Sequence, residues 1–445
     1  MPRLQNKESH LYLWLLLGFK LILDYSYVLL SNEDAYSIEF ALNINFFKVA
    51  LSYVIIILVG FLSCSNNTIV SYLFRIISFF VIAPLSTVFA FRDESSVYYF
   101  LVVITFIITE YISVRQFSSK MDLEDWQVKP TKRDNLLNTL CVVISLLTLF
   151  LMYVSNGVPN INTVILENVY EVRGSYNTSS YLSYLLYVTA QVIIPLGIAI
   201  SFTRKRYLLS FFYLLSQFCF FLWTGHKTWF FSIFLMLLLI IILRAKKGVN
   251  YLFIAVVALS LLAVIFYENI YGYGAFTLLN RRVLLDPAAL RFFYYDYFLV
   301  KGHPIVGFSG TVLAPIFGSA SPADLDYAYS IASIYTDTPS NAGTGIYGGD
   351  LANLGVLSFI IVPICLVFFS YLANITNRAM SSSFTILLFT YITFSFNDQR
   401  IFAYLLDFRG VFLILFVLLL SSKVAHKKSL INNEKYKGTS SLIER

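Results

Sequence analysis

About twelve apolar runs recur along the 445-residue chain, and they constrain its fold more than any other feature. They fall near 11–30, 44–63, 69–91, 97–114, 136–154, 181–202, 207–223, 228–243, 250–267, 346–372, 383–397 and 405–422. Each approaches the roughly 20 residues a helix needs to cross the hydrocarbon of a bilayer. In lipid every backbone polar group must be satisfied within its own segment, so helices are the expected form. The expected fold is an all-α polytopic membrane protein of about 12 transmembrane helices. The first run lacks a small-residue cleavage site and is expected to stay as a signal anchor.

Composition agrees with this class. The chain is 58% hydrophobic, with mean hydropathy +0.73, and only 13% of its residues are charged. A soluble domain carries roughly 25% charged residues. Its 42 Phe and 32 Tyr suit membrane interfaces and grooves without naming a function. Cys64, Cys141, Cys219 and Cys365 lie singly in or beside apolar runs, so no disulfide and no structural zinc are expected. The four histidines form no HExxH pattern. There is no Walker A loop and no GxGxxG before a helix, which argues against nucleotide-driven chemistry. No cofactor and no metal are expected.

The loops set the expected orientation. A cytoplasmic N-terminus places Arg115, Lys120, Lys129, Lys132 and Arg133 inside, with Arg204–Arg206, Arg244, Lys246, Lys247, Arg378 and the tail lysines. That fits the positive-inside rule and accounts for the pI near 9.0. Much of the formal net charge of +7 is then topogenic, so nucleic-acid binding is not expected. Both termini are expected in the cytoplasm. The expected divisions are 1–267 (nine spans, with an outer loop at 155–180), a large outer loop at 268–345, three spans at 346–422, and a cytoplasmic tail at 423–445.

This orientation leaves an outer loop that is cationic where such loops are normally poor in positive charge. It carries Arg281, Arg282, Arg291, Lys301 and His303. Arg173, in the 155–180 loop, and Lys227 lie on the same side. Arginine forks bind phosphate bidentately and stay charged, so an anion site is expected there. Arg92, Arg400 and Arg409 are read instead as headgroup contacts. From Ala288 to Phe298 the pattern is amphipathic, and a surface helix near the interface is expected. Lys20 and Asp24, four apart in the first run, are expected to pair on one helix face. Arg75 is expected to snorkel toward the cytoplasmic side.

Several short motifs resemble one family. His303-Pro304-x-x-Gly307 is similar to the His-Pro segment in the periplasmic loop of O-antigen ligases and O-antigen or capsule polymerases. The run from Asn341 to Gly355 resembles the asparagine-led return into the next helix of the same superfamily. Arg281-Arg282, Pro287-Ala288 and Tyr294-Tyr295-Asp296 look most like the oligosaccharide repeat-unit polymerases (Wzy type), as does Gly225-His226-Lys227-Thr228. Ligases usually have histidine directly before the asparagine aligned with Asn341, and here that residue is Ser340.

The resemblance implies a GT-C-like, metal-independent membrane glycosyltransferase. Its substrates would be glycans on undecaprenyl pyrophosphate, polymerised into O-antigen or capsular polysaccharide on the periplasmic face. The implied partners are those lipid-linked glycans, the bilayer and a separate chain-length regulator. Arg173, Arg281 and Arg282 would hold the pyrophosphates, with Arg291 and Lys227 as further candidates. His303 would serve as general base, with Asp296 as a competitor. Tyr294, Tyr295 and Tyr347 would stack on sugars, and Asn341 would orient substrate or cap the next helix. Two alternatives stay open: an O-antigen ligase, and a flippase or transporter of the same lipid-linked oligosaccharides. A transporter should show internal repeats and broken helices, and no repeat is evident.

Overall fold

In the computed structural model the described residues are 2–33, 38–64, 67–121, 132–164, 172, 176, 178–245, 248–267, 277–309, 311–317, 327–336 and 343–419. They are almost wholly helical. The one bridge between extended residues among them joins Thr68 and Lys120. Eight helices are long and apolar enough to cross a membrane: His10–Ser31, Phe46–Cys64, Ile69–Phe91, Ser96–Gln116, Asp134–Asn156, Ser180–Thr203, Tyr207–Thr224 and Gly349–Ala379. Four shorter apolar helices accompany them: Thr228–Arg244, Asn250–Ile265, Ser382–Ser395 and Phe408–Leu419. Each of the twelve coincides with one of the apolar runs. The chain is an all-α, multi-pass membrane protein.

Local chemistry sets where these helices start and bend. Thr68, Ser95, Ser179 and Ser381 each turn a side-chain oxygen toward a backbone N–H of the first helical turn, as N-caps do. Gly225 ends the Tyr207–Thr224 helix in the left-handed conformation, with φ of 62°. Besides Pro363 in the Ser358–Ala379 helix, three prolines sit inside long helices at Pro84, Pro195 and Pro287. Each of these three comes just after a π-helical stretch, at Ser78–Ile82, Thr189–Ile193 and Thr277–Leu285. Proline has no N–H and clashes with the carbonyl four residues back. Widening the preceding turn lets the helix continue past it.

The Ile69–Phe91 helix is central, since its whole apolar window is buried. Asp134–Asn156 is peripheral, with 28% of its window buried, and it turns Leu136, Leu140, Val143 and Phe150 outward. Connections gather at two ends of the bundle. At one, Arg204 donates to Asp134 at 2.6 Å and Arg206 to Asn135 at 2.8 Å. At the other end lie the turns at 225–226 and 396–400 and the segments 277–317 and 343–348. This loop end holds the candidate site.

Two charged groups inside the bundle have protein partners. Lys20 and Asp24 pair as expected, and Asp24 also accepts from Tyr53 and Thr87, each at 2.8 Å. Arg75 does not snorkel. It is buried, donates to the Ser63 carbonyl at 3.0 Å, and faces the Tyr12 ring. Ser63 in turn donates to Glu110 at 2.6 Å. A local acceptor and an aromatic face satisfy the guanidinium, so it need not reach the membrane surface.

The expected surface helix is also corrected. Residues 277–300 form one helix, widened at both ends, that enters the bundle. It packs against the Pro2–Ser31, Ala83–Phe91, Asn250–Ile265 and Gly349–Leu354 helices. Leu284, Leu285, Ala288, Ala289, Phe292 and Phe293 are all buried. Asn280 anchors its start, donating to Ser26 Oγ at 3.0 Å and the Ser260 carbonyl at 3.1 Å. Part of its polar face finds partners inside, and Arg282 and Asp296 keep exposed surface.

Candidate functional site at the loop end of the bundle

The 277–300 helix carries the first cluster. Arg282 pairs with Asp286, one turn on, at 3.4 Å, and its side chain is 41% exposed. Arg281 points inward and is buried. Glu39 lies in the field of Asp286, Arg281, Arg282 and Arg92. Burial pushes the Glu39 carboxyl up, Asp286 adds to that, and the three arginines oppose it. Arg92 is no solitary headgroup contact. It donates to Glu94 at 2.7 Å and lies 4.3 Å over the Phe293 ring. Arg92, Arg281 and Arg282 thus share a field at Glu39 and Asp286, and Arg282 is the most open to solvent of the three.

Further along this helix, Arg291 is walled in. It is 0% exposed; its Nε donates to the Ile346 carbonyl at 3.0 Å, and one Nη to Asn397 O at 2.8 Å and Oδ1 at 3.1 Å. Burial pulls its pKa down to about 10, against the pull of Tyr98, Asp398 and Asp350, so it stays charged at neutral pH. The glycine run at 343–349 makes this possible by close approach. A Cβ on Gly345 would lie 2.1 Å from the Phe396 carbonyl oxygen, and one on Gly348 would lie 2.7 Å from Arg291 Cγ. Tyr347, between them, adopts a left-handed φ of 67°, costly for a residue with a Cβ.

The turn after the Ser382–Ser395 helix ties the region together. Asn397 receives Arg291 and donates its own amide to the Val283 carbonyl, directly after Arg282. Asp398 is exposed and accepts from Thr228 Oγ1 at 3.1 Å. Gln399 accepts from Arg409 at 2.8 Å. Arg400 donates to Asn353 at 2.8 Å and to Tyr327 at 3.2 Å. Four consecutive side chains therefore engage four different parts of the fold. Arg400 and Arg409 are not headgroup contacts. Arg409 also pairs with Asp407 and donates to Gln191 at 2.6 Å, over the Tyr404 ring at 5.0 Å. Sequence reading missed this turn because it matches no motif; four adjacent polar residues between two apolar runs were the only signal.

Other expected residues fall into three groups. Arg173 and Asn341 lie outside the described residues, as does the Lys227 side chain. Tyr294 and Tyr347 are 1% and 0% exposed, so neither shows a ring to a sugar in this conformation. Tyr295 is half-buried and stacks on Tyr98, centroids 4.9 Å apart. The aromatic density that suggested sugar platforms here fills the core. His303 and Asp296 remain near the surface. The His303 ring stacks on Tyr297 at 3.8 Å, and Asp296 meets Lys301 at 3.2 Å and the Tyr335 hydroxyl.

No protein-family model, curated protein or solved structure matches this chain.

What the arrangement can do chemically follows from its charges. A half-open guanidinium backed by two others is suited to a phosphate group. An accessible carboxylate on a neighbouring turn is suited to a hydroxyl. Among the described residues no three His, Cys, Asp or Glu side chains converge as metal ligands.

Proposed function

We propose that the chain is a membrane glycosyltransferase that polymerises repeat units carried on undecaprenyl pyrophosphate, acting on the periplasmic face of a bacterial inner membrane. The observation that carries this reading is the convergence of Arg92, Arg281 and Arg282 around Glu39 and Asp286 at the loop end of the bundle. A lipid pyrophosphate is already an activated leaving group, so transfer needs no nucleotide. Negative charge grows on that phosphate in the transition state. Preorganised donors where water is scarce are worth roughly 3–4 kcal/mol each in comparable sites. Arg282 would contact the pyrophosphate, with Arg281 and Arg92 supplying field behind it. His303 and Asp296 are the bases implied by the family resemblance. The product would be O-antigen or capsular polysaccharide, with length set by a separate membrane partner.

The test is a lipopolysaccharide gel on a strain lacking this gene, complemented with wild type or Arg282→Ala. The expected result is loss of the ladder with a single repeat unit still attached to core, restored by wild type and not by Arg282→Ala at equal protein level. Bare core without any repeat would replace this reading with a ligase or a flippase. An intact ladder would move the activity to capsule, to be read by the same complementation on capsular polysaccharide.

A further inference from the structure

Two exposed charges of opposite sign flank one junction at the loop end. Asn397 donates to the carbonyl of Val283, so the segment bearing Arg282 and the segment bearing Asp398 touch. Arg282 is adjacent in sequence to one partner of that bond, and Asp398 to the other. Both keep exposed side chains. The position of Asp398 is built from several sides. Thr228 donates to its Oδ2 at 3.1 Å, its own N–H bonds the Ser395 carbonyl at 3.2 Å, and Arg291 locks the preceding residue.

We propose that Asp398 is the general base that deprotonates the acceptor hydroxyl, at a site shared with Arg282. The inference rests on the glycosyltransferase reading above and names a residue that reading does not. In the step, the acceptor hydroxyl oxygen forms a bond to the anomeric carbon of the donor glycan. The bond from that carbon to the pyrophosphate oxygen breaks, and its electron pair stays on the pyrophosphate. The hydroxyl proton passes to the Asp398 carboxylate, which later releases it to water.

The competing bases are less well placed. Asp296 is already engaged by Lys301 and by the Tyr335 hydroxyl. His303 stacks on Tyr297 just past the Val300 end of the 277–300 helix, the end opposite Arg282. Asp398 makes one side-chain hydrogen bond, to Thr228, and no ion pair within 4.0 Å among the described residues. Its electrostatics also suit the role. The side chain keeps accessible surface, yet packed protein surrounds the turn. The protein packed around the turn raises the carboxyl above the usual carboxylate range, against the Thr228 hydrogen bond, the charges of Arg291 and Arg409 and the solvent its exposed side chain meets. Tyr391, from the preceding helix, also feels its charge. A base titrating near the working pH combines a useful ionised fraction with a useful driving force.

The experiment uses the full chain in proteoliposomes, with an undecaprenyl-pyrophosphate-linked oligosaccharide repeat unit as both donor and acceptor. Polymer formation is followed against pH, and binding of undecaprenyl pyrophosphate is measured separately. Wild type should gain activity as pH rises through about 6. Asp398→Asn should lower kcat by about 100-fold or more, the usual scale for a lost general base, with pyrophosphate binding kept. Thr228→Val removes the hydrogen bond that holds the carboxyl down, so the acidic limb should move to higher pH. Wild type that makes no polymer from this probe overturns the glycosyltransferase reading itself. Active wild type with a fully active Asp398→Asn overturns only the role of Asp398. Should Asp398→Asn fail to assemble, the Thr228→Val profile decides: a limb that does not move overturns the proposal.

Discussion

Arg282 and Arg291 lie nine residues apart on one helix and occupy opposite physical situations. Arg291 is surrounded by backbone carbonyls that the glycine run brings close, and it has no exposed surface. Arg282 pairs with Asp286 at 3.4 Å and keeps 41% of its side chain exposed. Both carry the charge that makes an outer arginine conspicuous in a membrane protein. Only Arg282 keeps surface open to solvent. The other holds the Ile346 and Asn397 segments together, and so supports the junction at which Arg282 and Asp398 stand. Charge alone therefore does not mark a site; exposure separates these two arginines, one sealed and one reachable from solvent.

The strongest way to break this contrast is to exchange the consequences of losing each arginine. Arg291→Ala should unfold the loop end. It takes this donor from the Ile346 and Asn397 carbonyls and from Asn397 Oδ1, removing charge-assisted hydrogen bonds each worth about 1.5–3 kcal/mol. Thermal unfolding of the purified protein should show a marked drop in Tm, and polymer formation should vanish with it. Arg282→Ala should lower activity by about 100-fold, as loss of one preorganised donor does, while leaving Tm nearly unchanged. Equal losses of stability from the two substitutions would remove the distinction drawn here.

A finer test bears on the link between the two regions. Asn397→Ala cuts the tie to Val283 and one acceptor of Arg291, and it should fall between the two arginine variants in both stability and activity. The smallest effect is expected at the rim. Lys301→Ala breaks an exposed pair with Asp296, and such pairs are worth about 0–1 kcal/mol. Tm should barely move. A drop as large as that of Asn397→Ala would show that the 301–303 segment is part of the supporting structure.

How far the sequence could be read differs between fold and site. Twelve apolar runs could be placed nearly to their ends, since hydropathy, caps and breakers act over one helix at a time. Ser95, Ser179 and Gly225 stand where such signals belong. The Lys20–Asp24 pair was legible for the same reason, because both residues lie on one helix face. Arg409 was misread because, besides its neighbours Asp407 and Gln399, it reaches Gln191, 218 residues away in the chain. The 277–300 helix was misread because an amphipathic pattern states which face is polar, and not whether water or protein will meet it.

The sequence by itself determined a multi-helical membrane protein with its arginines concentrated in a few connections. Membrane length and backbone satisfaction are local requirements, and they leave few alternatives. The tertiary structure alone decided which arginines became core and which stayed open. Arg291 meets Asn397 across 106 residues, and Tyr347 and Tyr294 are sealed by elements far from them in sequence. Burial is a property of what packs opposite a side chain, and that partner is chosen only when the whole bundle closes.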